Sequence, residues 1–75
     1  MPFAVPLSSL GCGESGVVES VNIRGAMRRR MQDLGLVSGT SVSCVNRGHG
    51  ISAYLIRGTV IALRHTDSSG ITVNR

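Results

Sequence analysis

Only one stretch of this chain is long and regular enough to be a helix, and it carries its own stop. Residues 25–40 read Gly-Ala-Met-Arg-Arg-Arg-Met-Gln-Asp-Leu-Gly-Leu-Val-Ser-Gly-Thr. Met27, Met31 and Leu34 fall at i, i+4 and i+7, one face of an α-helix. Arg28, Arg29 and Arg30 point elsewhere, toward water or a partner. Gly25 stands at the N-cap, where it supplies no side-chain acceptor. Gly35 stands where a left-handed residue ends a helix without a Cβ clash. Leu36 then folds back on Met31, as in a Schellman ending. Gly39 is placed for the positive φ of a type II turn. One short amphipathic helix, stopped by glycine, therefore delivers the chain into a strand.

The rest of the chain is small: 75 residues, a single domain spanning 1–75, with a modest core. Hydrophobic residues make up 41%, yet Phe3 and Tyr54 are the only aromatics, so the core is aliphatic. Such a core fills one small barrel or sandwich and leaves no deep pocket. The net charge is +4 and every basic residue is Arg. That balance favours an acidic partner. Cys12 and Cys44 form no CxxC, and nothing resembles a signal peptide. No apolar run approaches the ~20 residues of a membrane span. The expectation is a cytoplasmic domain that does not insert into a membrane.

Taken in order, Pro6 keeps residues 2–6 out of a regular helix. Residues 7–10 make one helical turn, and 11–16 form a turn-rich loop. Residues 17–23 read as the first long strand. Val17, Val21 and Ile23 share a face with Glu19, which calls for an open end or a bulge there. Strands follow at 41–46, 52–56, 59–64 and 71–73. A mobile loop is expected at 47–50, a tight Arg57-Gly58 hairpin between the third and fourth strands, and a polar loop at 65–70. In the hairpin, Leu55, Ile61 and Leu63 are assigned to one face, with Tyr54, Ile56, Val60 and Ala62 on the other. The second apolar face needs a cover, and self-association through the hairpin or the helix face would supply one. The fold class is mostly β: a small SH3-like five-stranded barrel with one short α-helix inserted after the first long strand. A five-stranded OB barrel is the competitor.

Catalytic patterns are missing from the sequence. There are no paired carboxylates, no nucleophile–base pair at motif spacing and no phosphate-cradling glycine loop. The reading is therefore not an enzyme. His49, His65, Cys12, Asp67 and Glu14 lack metal-ligand spacing, so neither metal nor cofactor is expected. The arginine run can dock carboxylates or phosphates, because guanidinium binds both in bidentate fashion. Asp33 sits against the helix dipole and is in reach of Arg29 or Arg30. Nucleic acid is not favoured, since base stacking needs aromatics.

These pieces together resemble the FeoA family, the small cytoplasmic component of bacterial ferrous iron uptake. The resemblance rests on Leu-Ser-Ser-Leu at 7–10, Gly-Glu-Ser-Gly-Val-Val at 13–18 and Met-Arg-Arg-Arg-Met-Gln-Asp-Leu-Gly-Leu at 27–36. It continues in Gly-Thr-Ser-Val at 39–42, Arg57-Gly58 with Ile-Ala-Leu-Arg at 61–64, and Ile-Thr-Val at 71–73. Ser38 stands where the family often has proline. The resemblance implies an SH3-like barrel with an inserted helix. It also implies partnership with FeoB, a membrane Fe(II) transporter carrying a cytoplasmic GTPase domain. Carried onto this chain, the contact surface comprises Met27, Arg28, Arg29, Arg30, Met31, Leu34, Leu36 and Arg57. The arginines lie on a helix, which argues against their insertion as an arginine finger.

Two other classes stay open. The same fold occurs in iron-dependent repressors as a regulatory peptide-binding domain. This chain shows no helix-turn-helix before the domain, so it would be a stand-alone relative. A small nucleic-acid-binding barrel is the third reading.

Overall fold

The computed structural model describes residues 4–75; Phe3 lies outside them. Six strands form one antiparallel sheet: β1 (Ala4–Pro6), β2 (Ser15–Val21), β3 (Ser41–Arg47), β4 (Ile51–Ile56), β5 (Thr59–Arg64) and β6 (Ile71–Asn74). Their order is β1-β6-β2-β3-β4-β5, so β1 and β5 are the two edges. Helix α1 (Ala26–Asp33) is inserted between β2 and β3. The sheet is the SH3-like one expected, with six strands in place of five. The additional strand is β1, which pairs with β6 and ends in Pro6. Proline is tolerated there because an edge strand can spare a donor.

Helix α1 ends as its sequence dictates. Leu36 N donates to Met31 O at 2.9 Å and Gly35 N to Gln32 O at 3.0 Å, the two bonds of a Schellman motif. Gly35 has φ +90°, and Leu36 and Met31 are both buried. Thr40 N returns to Val37 O at 3.1 Å across Gly39, whose φ is +93°. The Thr40 hydroxyl then donates to Gly35 O at 3.0 Å, which ties the helix stop to the start of β3.

A bulge in β2 sets which residues reach the core. Val18 pairs with Val73 and Ser20 with Thr72, so Glu19 is the extra residue. The inward face therefore switches at Glu19. Val18 is buried before it and Ile23 after it, whereas Val17 is exposed. The bulge, one of the two outcomes that Glu19 called for, thus takes Val17 off the face of Val21 and Ile23.

The Arg57-Gly58 turn has positive φ at both residues, +49° and +80°, the backbone of a type I′ hairpin. Ile56 thus pairs with Thr59 and Tyr54 with Ile61. A two-residue loop pairs even positions with odd ones. The core face therefore carries Ser52, Tyr54, Ile56, Ile61 and Leu63, and the outer face Leu55, Val60 and Ala62. This corrects the assignment of Leu55 to the face of Ile61 and Leu63, and of Val60 and Ala62 to the face of Tyr54. The outer face stays uncovered, with Val60 58% exposed.

Two loops are more ordered than the sequence implies. Residues 65–68 form a short helix, α2 (His65–Ser68), where a polar loop was expected. Gly48 N donates to Ile51 O and His65 N to Gly50 O, so both ends of the 47–50 loop are tied down. Arg47 donates through Nη1 to Ser8 O and Leu10 O, at 2.6 and 2.9 Å. Those bonds clamp the 3₁₀ turn Leu7–Ser9 onto β3. The core comprises Leu7, Leu10, Val18, Ile23, Met31, Leu36, Val42, Cys44, Tyr54, Ile56, Leu63, Ile71 and Val73.

Candidate functional site: the groove between α1 and β5

The faces of α1 are unequal. Met31 is 1% exposed and belongs to the core, while Met27 and Leu34 are half-buried beside it. Across from them runs β5, the last strand of the hairpin. Between the two elements lies an open groove of about 430 Å³. Its helix wall is Met27, Arg30, Met31 and Leu34. Its strand wall is Val60, Ile61, Ala62, Leu63 and Arg64, with Asp67 of α2 at one end.

The structure therefore brings together four of the residues expected at a contact surface: Met27, Arg30, Met31 and Leu34. The others are placed differently. Leu36 is fully buried and lines a smaller hollow on the far side of α1, of about 160 Å³, together with Arg28. Arg29 is exposed and lines neither hollow. Arg57 reaches from the hairpin to the helix stop, where its side chain lies against Gly35. Of the hairpin, the expected surface named Arg57 and no residue of the β5 wall itself. One signal was available: the 59–64 strand is followed by a polar segment and not by a strand that could pair with its other edge.

The charged residues that line the groove are Arg30, Arg64 and Asp67. Among the described residues, the ion pairs are Arg64 with Asp67, at 3.4 Å, and Arg75 with Glu14. Arg28, Arg29, Arg30 and Arg57 have no carboxylate partner, and the expected Asp33 pairing with Arg29 or Arg30 does not form. The arginines of α1 are thus free to meet an outside anion.

Elsewhere the chemistry-bearing side chains serve the fold. Burial pushes the Cys44 thiol above the ordinary thiol range, outweighing the Asn46 backbone hydrogen bond and the Arg47 charge. Cys12 is exposed, and its thiol donates to Val45 O at 3.3 Å. His65 Nε2 and Ser52 Oγ are hydrogen-bonded at 2.9 Å. Among the described residues no three His, Cys, Asp or Glu side chains converge as metal ligands. Tyr54 is fully buried and offers no stacking face. Nor, among the described residues, is any helix long and apolar enough to cross a membrane.

The six-stranded antiparallel sheet, the inserted helix and the groove between them define a small SH3-like domain. The FeoA domain profile matches residues 5–75. The chain belongs to the FeoA family. A FeoA from Stenotrophomonas maltophilia, crystallised with zinc and described as a prokaryotic SH3 domain protein, is 32% identical. Its TM-score is 0.80, over 97% of this chain and 88% of its own. The FeoA of Chlorobium tepidum is 31% identical, with a TM-score of 0.83 over 93% and 69% of the two chains. A manganese-dependent transcriptional repressor is similar in fold alone, at 19% identity and a TM-score of 0.87. That match covers 99% of this chain and 42% of the repressor. No curated protein sequence matches the chain.

Proposed function

We propose that this protein is a non-enzymatic accessory factor of ferrous iron transport, acting in the cytoplasm. In this reading it docks through the α1–β5 groove onto the cytoplasmic part of a FeoB-like membrane GTPase and transporter. The observation that carries it is the groove itself: half-buried Met27 and Leu34 beside an unpaired, exposed Arg30. An apolar slot with a cationic rim suits a protein surface that presents an apolar anchor and carboxylates. Family membership supports the system, and the Stenotrophomonas relative has been advanced as a ferrous iron transport activating factor. The repressor-like reading rests on fold alone.

The test is complementation. A strain lacking this gene is given the wild-type protein or the Met27→Glu, Arg30→Glu double variant, and uptake of radiolabelled ferrous iron is measured. Wild type should restore uptake and the variant should not, at equal protein levels. Full restoration by the variant overturns the reading.

A further inference from the structure

We propose that the free edge of β5 accepts an extended, mixed acidic and apolar segment of a partner protein as a seventh strand. That strand would lie in the groove beside α1. The inference deepens the docking reading above and rests on it for the identity of the partner.

The hydrogen-bond pattern shows the vacancy. In a two-residue hairpin the closing pair, here Ile56 and Thr59, exchanges both backbone bonds, and bonded and non-bonded pairs then alternate. Tyr54–Ile61 and Ser52–Leu63 are the next bonded pairs. Val60, Ala62 and Arg64 therefore aim their N–H and C=O groups away from β4. No further strand pairs with them on that side, although the Arg64 carbonyl, at the N-cap of α2, is taken by the first turn of that helix. These same residues line the groove. An incoming strand would find three donors and two acceptors along one wall, with Met27 and Leu34 on the other.

Natural sheets protect such an edge. The opposite edge of this sheet does so, since β1 is three residues long and ends in Pro6. β5 does not: it is six residues long, has an unbroken register with β4, and contains neither a proline nor a bulge. Its one charge, Arg64, is at its end. An undefended edge beside an apolar groove is what strand addition requires.

Charge selects the occupant. Arg57 lies at one end of β5, Arg64 at the other, and Arg30 across the groove. The carboxylates near them are Asp67, which is held by Arg64, and Asp33 on α1. A second copy of this chain, at net +4, would bring more arginine to the same place. A segment alternating apolar residues with Asp or Glu places one set on Met27 and Leu34 and the other within reach of the arginines.

The test follows backbone amides by NMR hydrogen exchange in the full chain. Two probes are used: the cytoplasmic domain of the FeoB-like transporter, and an eight-residue peptide alternating Glu and Val. The expected result is at least tenfold slower exchange at Val60, Ala62 and Arg64 with one or both probes. Ala62→Pro should weaken binding at least tenfold. Proline at Ala62 removes an outward N–H and no bond to β4. If Ala62→Pro does not fold, the wild-type exchange data decide alone. Transporter binding that leaves the three amides fast overturns the seventh strand but not the docking. Peptide protection without transporter binding supports the strand and defeats the docking. Slow amides that depend on protein concentration without a probe assign the edge to a second copy and overturn the proposal, as does no protection with either probe.

Discussion

The side chain of Arg57 lies across Gly35, so close that a β-carbon on Gly35 would meet its Cδ at 2.6 Å and its Nε at 2.9 Å. The hairpin tip and the helix stop are thereby fitted to each other. They are far apart in sequence. The hairpin and the helix, one on each wall of the groove, are thus also joined at one end.

Gly35→Ala should destabilise the protein by about 1–2 kcal/mol, chiefly because φ +90° penalises any L side chain. The Arg57 contact is secondary, since the end of a flexible side chain can move. Arg57→Ala alone should stay within about 0.5 kcal/mol of wild type. It should not rescue Gly35→Ala. Urea unfolding of the two single variants and the double variant checks this.

Met31 and Leu36 should behave as core and Met27 and Leu34 as surface. Met31→Ala or Leu36→Ala should each lose about 2–5 kcal/mol, the range for emptying a buried aliphatic site. Met27→Ala should cost about 1 kcal/mol or less, because much of that side chain is already in water. Thermal unfolding separates the pairs. Only the second pair then serves as a clean probe of docking.

The two cysteines should react very differently. Cys12 is exposed and should consume a thiol reagent quickly in the native protein. Cys44 should react only on unfolding. Burial raises its pKa, so the folded state favours the neutral thiol. Its contribution to stability is thus complete below the ordinary thiol pKa and is lost as pH climbs through the higher folded value. Cys44→Ala should flatten the fall in stability across that alkaline window, measured by urea midpoints at increasing pH.

Thr40→Val should cost about 1 kcal/mol by removing the hydroxyl bond to Gly35 O. The loss is limited because Val37 N also donates to that carbonyl, at 3.0 Å.

Much of this was legible in the sequence, for local reasons. The Schellman ending follows from Met31, Gly35 and Leu36 alone, and the hairpin from Arg57-Gly58. The charge at Glu19 on an apolar face announced the bulge but not its direction, because which neighbour turns inward depends on pairing with β6. The hairpin faces were misassigned by treating both strands in one parity, which a two-residue loop forbids. The short helix His65–Ser68 has no periodic signal in four residues. The groove is non-local: α1 and β5 are separated by two strands in sequence, and only the closed-up fold sets Met27 opposite Ala62.

The decisive measurement is calorimetric binding of the FeoB-like transporter's purified cytoplasmic domain to wild type, Met27→Glu and Arg30→Glu, with unfolding curves recorded alongside. If the groove is the docking surface, each variant binds at least tenfold more weakly while its folded stability is retained. Wild-type affinity in both variants, or no binding by wild type, would contradict it.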